Sequence, residues 1–135
     1  MQKLKIIRTV TCILEHKNKI LLLKRSRKSK AYGEVWGGIS GYIEGRESPD
    51  SRVRKEIVQE TGIKKARLVR SGKILSVLDK DLGIKWLVKP YLFDSITRKV
   101  KLNRENTSYK WINLSDIKKY KTVPKFKETV FRVLK

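Results

Sequence analysis

The chain has 135 residues with 39% hydrophobic content, enough for one domain with a buried core, and it reads as a single domain over residues 1–135. Its 34 Lys and Arg against 13 Asp and Glu give a formal charge of +21 and a pI of about 10.3, so the expected partners are anions: nucleotides, nucleic acid or acidic lipid. A lone cysteine excludes an intrachain disulfide, and the lack of an 18-residue apolar run or a leader-like N-terminus points to a cytoplasmic protein without a membrane span.

Residues 5–15, KIIRTVTCILE, are rich in β-branched types, and Ile20–Arg25, ILLLKR, is a second short apolar run; the polar HKNK between them predicts a β-hairpin. Cys12 falls in the first run and is expected to be a buried core thiol. His16 is expected to be an exposed turn residue without a chemical role. The basic run KRSRKSK (24–30) then passes into AYGEVWGG. Basic residues beside aromatic ones can hold phosphates and stack a base, which makes Arg25, Arg27, Tyr32 and Trp36 the candidate substrate-binding residues. A solvated loop followed by a strand with a core Trp36 is the competing reading.

Five of the eight glycines fall within residues 33–45, so the backbone there turns sharply or comes close to something. They do not make the phosphate-cradling pattern that needs Lys and Ser or Thr after its last glycine. A helix follows with clear ends: Ser48 as N-cap, Pro49 at the first position, Asp50 complementing the dipole and Gly62 at the stop. Val53 and Ile57 form its apolar stripe. Glu44, Glu47, Asp50, Glu56 and Glu60 place five of the thirteen acidic residues within seventeen positions. Glu56 and Glu60 are four apart on one face, where like charges repel by roughly 0.2–0.5 kcal/mol on an isolated helix, and a hard divalent cation between them reverses the sign. The alternative is a helix dressed with solvated charges.

Residues 64–78 read as one or two strands, LDKDLG (78–83) as a turn, and IKWLVKPYLFD (84–94) as a strand in which Pro90 suggests an edge position or a bulge. Trp86 and Tyr91 read as packing residues. A polar stretch leads to the strand YKWINL, Ser115-Asp116 is expected to cap a short helical turn, and Pro124 to open a final amphipathic helix with Phe126, Val130 and Leu134 as its apolar stripe.

The glycine-rich turn and acidic helix together resemble the Nudix hydrolase box: Gly, five residues, Glu, seven residues, then Arg-Glu-apolar-x-Glu-Glu-x-Gly-apolar. Here Gly41 is followed after five residues by Glu47, and after seven more by Lys55-Glu56-Ile57-Val58-Gln59-Glu60-Thr61-Gly62-Ile63. The spacing is complete, with Lys55 in place of Arg and Gln59 in place of the first Glu of the pair. Gly41, Lys55 and Gly62 are thus the motif's structural positions. The family also often has a Glu upstream of a late Trp-containing strand, and Glu105 lies six before Trp111 in NRENTSYKWINL.

The resemblance implies an α+β fold, an α/β/α sandwich with a mixed sheet between the box helix and the C-terminal helix, over essentially the whole chain. It also implies Mg²⁺- or Mn²⁺-dependent hydrolysis of a phosphoanhydride in a nucleoside diphosphate linked to another group. Glu56 and Glu60 would be metal ligands and catalytic, with Glu47 as an inner or outer carboxylate of the site and the Ser40 carbonyl as a further ligand. Gln59 keeps one coordinating oxygen but no charge. Lys55 keeps a charge for a neighbouring box carboxylate but lacks the planar fork of Arg. Glu105 or Glu56 would be the general base. Gln59 and the +21 charge also support a second reading, a catalytically weak module that binds nucleotide or nucleic acid through its basic surface. The residues set neither the base or sugar recognised nor the oligomeric state, with which a dimer is compatible.

Overall fold

The computed structural model describes residues 3–29 and 32–134. Lys30, Ala31 and Lys135, placed by the sequence in the basic run, the glycine-rich segment and the last helix, lie outside these. Strands β1 (Lys5–His16) and β2 (Lys19–Arg25) form the hairpin, joined by Lys17 and Asn18. Both turn residues have positive φ, 47° and 66°, a backbone path that follows the right-handed twist of the flanking strands. His16 is the last residue of β1, half-buried rather than exposed. Its Nδ1 lies 2.7 Å from the Ser95 carbonyl, which can only accept, and its ring meets Trp111 edge-on at 6.3 Å.

Beyond the turn the two strands diverge, and the glycine-rich segment fills the gap. Trp36–Gly37 (β3) pairs with β2, and Ile39–Tyr42 (β4) pairs with β1 through Thr9↔Tyr42 to Cys12↔Ile39. Gly38 makes the crossing, where an added Cβ would stand 2.7 Å from the Cys12 carbonyl. On its other side β1 runs parallel to β7 (Ile84–Ser95), which carries β5 (Ala66–Ser71) and β6 (Leu75–Asp79) along its far edge; β8 (Asn106–Ile112) lies on the far side of β2. Pro90 is therefore in an interior strand, not at an edge. It lies opposite the break between β5 and β6, where Gly72 donates its N–H to the Pro90 carbonyl at 2.9 Å. The bulge in this region belongs to β5, between Leu68 and Arg70.

Period-two alternation divides the sheet's side chains between two helices. Val10, Cys12, Leu14, Leu21, Leu23, Tyr91 and Phe93 pack with Val53 and Ile57 of α1 (Pro49–Thr61). The intervening Ile13, Ile20, Leu22 and Leu92 pack with Phe126, Val130 and Val133 of α2 (Phe126–Leu134). The result is the α/β/α sandwich with a mixed sheet. No helix among the described residues is long and apolar enough to cross a membrane.

Helix α1 has the expected ends: Ser48 Oγ accepts from Ser51 N at 3.1 Å, Pro49 is first, and Tyr91 donates its hydroxyl to Asp50, tying the helix start to the sheet. Two other boundaries, and the buried stripe of the last helix, differ from the sequence reading. Helix α2 begins at Phe126, because Lys125 has a φ of 63° and breaks the helix from Pro124. Its buried stripe includes Val133, whereas Leu134 is half-buried. The short 3₁₀ turn spans Leu114–Lys119 with Asn113 at its N-cap, so Ser115 and Asp116 lie within it.

Gly62 ends α1 in the left-handed region, at φ 72°, with its N–H on the Val58 carbonyl at 2.8 Å. A Cβ there has room, 3.4 Å from Lys101 Cβ, so only backbone strain opposes it. Gly62→Ala is expected to destabilise the protein by about 1 kcal/mol, read in urea as a lower midpoint at unchanged slope.

Candidate active site

The box helix and the wedge of β3 and β4 bring the acidic residues together. Packing of Val53 and Ile57 on the sheet turns Glu56 and Glu60 toward β4, and both are buried. Gly41 is needed for this approach: a Cβ on it would lie 2.1 Å from Glu56 Oε2. Glu60, 2% exposed, accepts from Ser40 N through Oε2 and from Asn106 Nδ2 through Oε1, both at 3.1 Å. Glu105 enters from the segment before β8, where Asn103 Oδ1 accepts its N–H at 3.1 Å and its carbonyl accepts from Ser26 N at 2.9 Å. One carboxylate oxygen from each of Glu56, Glu60 and Glu105 lies within 4.8 Å of the others.

Burial sets the electrostatics of this trio. It pushes Glu60 well above the usual carboxylate range, and the charges of Glu56 and Glu105 add to the effect. Glu56 is also raised by burial, against the pull of the Arg52 hydrogen bond. Glu47 behaves oppositely and is not one of the three. Arg52 holds it through Nε at 2.5 Å and Nη2 at 3.0 Å, the Glu44 N–H donates to it at 2.8 Å, and Lys55 Nζ stands 3.5 Å away. These hydrogen bonds, Arg52's first, bring Glu47 down to about 2.

The carboxylates lie in a cleft of about 590 Å³. Its lining also includes the aromatic and apolar side chains of Tyr32, Tyr42, Val77, Trp86 and Val88. The Tyr42 and Trp86 rings are 20° from parallel with centroids 6.1 Å apart. Trp86 Nε1 donates to Tyr32 Oη at 3.2 Å, and Tyr32 donates to Asp79 Oδ2 at 2.5 Å. Burial and the Asp79 bond push the Tyr32 hydroxyl up to about 12. Arg25, Lys28 and Arg104 supply positive charge along the lining.

Of the residues expected to contact substrate, Tyr32 and Arg25 line the cleft, as do Ser40 and Gln59 of the expected metal set. Trp36 and Arg27 do not. Trp36 packs edge-on against Tyr120 at 5.5 Å under Lys110, and Arg27 is 87% exposed, 3.9 Å from Glu34. Trp86, read as packing, contributes to the lining, and Tyr42, Arg52, Arg104 and Asn106 carried no expectation. Only Arg52 had a visible signal, its spacing of four from Glu56.

The NUDIX domain model matches residues 5–134, so the chain belongs to the Nudix family, as a hydrolase of phosphoanhydride bonds. No protein of curated function matches the chain by sequence. Among solved structures it is similar to the MutT protein from Methanosarcina mazei Go1 (24% identity, TM-score 0.81, covering 98% of this chain and 95% of that one). It is also similar to the MutT NUDIX hydrolase from Burkholderia pseudomallei (20% identity, TM-score 0.78, 96% and 98% covered). A C. elegans Ap4A hydrolase in a binary complex matches at 19% identity and TM-score 0.77, with 93% of each chain covered.

The raised carboxyls make a pH prediction. A carboxyl whose folded-state pKa is raised favours the folded state while protonated. Its contribution is present below the unfolded value of 4.5 and is lost as pH rises through the folded value. In chelator-treated protein, thermal stability should therefore fall from pH 5 to 8 more steeply in the parent than in Glu60→Gln, which keeps the shape without the charge. Parallel profiles for the two would contradict this.

Proposed function

We propose that the chain is a divalent-metal-dependent pyrophosphohydrolase whose substrate is a nucleoside diphosphate linked to a further group. The observation that carries this is the convergence of Glu56, Glu60 and Glu105 within 4.8 Å in a cleft that is also lined by Tyr32, Tyr42 and Trp86. Three carboxylates this close, two of them buried, repel one another unless a proton or a cation intervenes. Their oxygens suit a hard cation such as Mg²⁺ or Mn²⁺. Glu56 and Glu60 would hold it, with the Ser40 carbonyl as a further candidate ligand. Gln59 is exposed on the lining, and the trio consists of three other residues, each of them a glutamate.

When bound, the cation supplies charge neutralisation at the phosphate oxygens and a lowered pKa for the attacking water. Glu105 is the candidate base, because it is the exposed member of the trio; Glu56 is engaged by Arg52, and Glu60 by Ser40 and Asn106. Arg25, Lys28 and Arg104 draw the polyphosphate into the cleft and compensate its charge. Tyr42, nearly parallel to Trp86, offers a face on which a base can stack, and Tyr32 holds the Trp86 ring by accepting from its Nε1. An Ap4A hydrolase and a NUDIX domain crystallised with ADP ribose, Shewanella oneidensis NrtR, are among the similar folds, and both names fit a nucleoside diphosphate linkage.

With Mg²⁺ or Mn²⁺, the protein should release phosphate or a mononucleotide from members of a panel of dNTPs, ADP-ribose, NADH, dinucleoside polyphosphates and capped RNA. Glu105→Gln should lower kcat by about 10²–10⁴-fold, and Glu60→Gln should abolish turnover. Tyr42→Ala, at an exposed position, should raise KM by roughly 5- to 150-fold, the equivalent of one stacked base, with kcat kept. No turnover across the panel with either metal would sink the reading.

A further inference from the structure

The box departs from its pattern at Lys55, where an arginine is expected, and the structure shows what stands in that place. Lys55 is 55% exposed and reaches Glu47 at 3.5 Å. One helical turn earlier, Arg52 has only 12% of its side chain exposed and engages two box carboxylates at once. Its Nε and Nη2 form a fork on the two oxygens of Glu47, at 2.5 and 3.0 Å, while Nη1 donates to Glu56 Oε2 at 3.1 Å. Glu47 is in turn fixed by the Glu44 N–H at 2.8 Å. Glu56 Oε2 is thus held between the guanidinium and the bare Cα of Gly41, with no room for even a methyl group.

We infer that Arg52 is the residue that positions Glu56 for metal binding, having taken over from position 55 the orienting role of the box cation. The chemistry requires a planar fork: one guanidinium satisfies both oxygens of Glu47 and still has an N–H for Glu56, whereas an ammonium is a point charge. Spacing makes the exchange workable, since positions 52 and 55 are neighbours on one helix surface and both already reach Glu47. Glu47 then acts as the anchor of Arg52, which accounts for a box carboxylate that stands outside the trio. Arg52 is a positioning residue and touches no reacting atom.

This inference rests on the metal-dependent reading above, so the test measures Mn²⁺ binding directly, by electron paramagnetic resonance of the free ion, alongside turnover. Arg52→Ala should weaken Mn²⁺ affinity and lower kcat by about 10- to 100-fold each, with KM little changed. Arg52→Lys should recover only part of this. The double variant Arg52→Ala, Lys55→Arg should return both quantities to within a few-fold of the parent, because a fork then reaches Glu47 from the neighbouring position; a merely structural loss would not be rescued this way. Parental affinity and kcat in Arg52→Ala, or a folded double variant that recovers neither, would overturn the role of Arg52 alone. Failure of the parent protein to bind Mn²⁺ would overturn the metal reading and this inference with it.

Discussion

Two glutamates one helical turn apart are packed against the sheet at Gly41 and Ser40, and the architecture of the site follows from keeping them there. Burying one carboxylate is costly, and burying a second beside it more so, unless hydrogen bonds or cations compensate. The compensation comes from three donors. Ser40 N and Asn106 Nδ2 hold Glu60, Arg52 holds Glu56, and the open side faces the cleft. The divergence of β1 and β2 makes this arrangement workable, because β4 fills the gap with a strand carrying no side chain at position 41.

The same divergence explains the shape of the cleft. Helix α2 covers Ile13 and Leu92 on one face of the sheet but leaves Ile7, Trp86 and Val88 of that face to a separate small cluster with Val77 and Tyr32. The cleft is therefore lined by aromatic and acidic side chains together, with Arg25, Lys28 and Arg104 among them. A charge of +21 suits such a layout: the acidic trio stands where a cation would be held, and the surrounding basic surface attracts anions.

Glu47 and Glu60 belong to one motif yet sit in opposite electrostatic environments. Glu47 is driven down by a forked arginine, and Glu60 is driven up by burial and its neighbours. The first anchors Arg52 through both its oxygens, and the second is buried beside two further carboxylates.

The sequence by itself determined the hairpin, the box helix with its Ser48, Pro49 and Gly62 ends, the alternating strand at 84–94 and the family, because these depend on local turn chemistry, short-range periodicity and residue spacing. It also singled out Glu56, Glu60 and Glu105, whose residue types and intervals are visible in one dimension. Which aromatic residues face the cleft was decided only in three dimensions. Trp36 and Trp86 both lie in strands and look alike locally, but Tyr120 and Lys110 pack on the first, while the second lines the cleft. The exchange of roles between Lys55 and Arg52 was likewise settled by packing. A motif records which position carries a charge, but only the helix's rotation against β4 determines which guanidinium reaches Glu47 and Glu56 together.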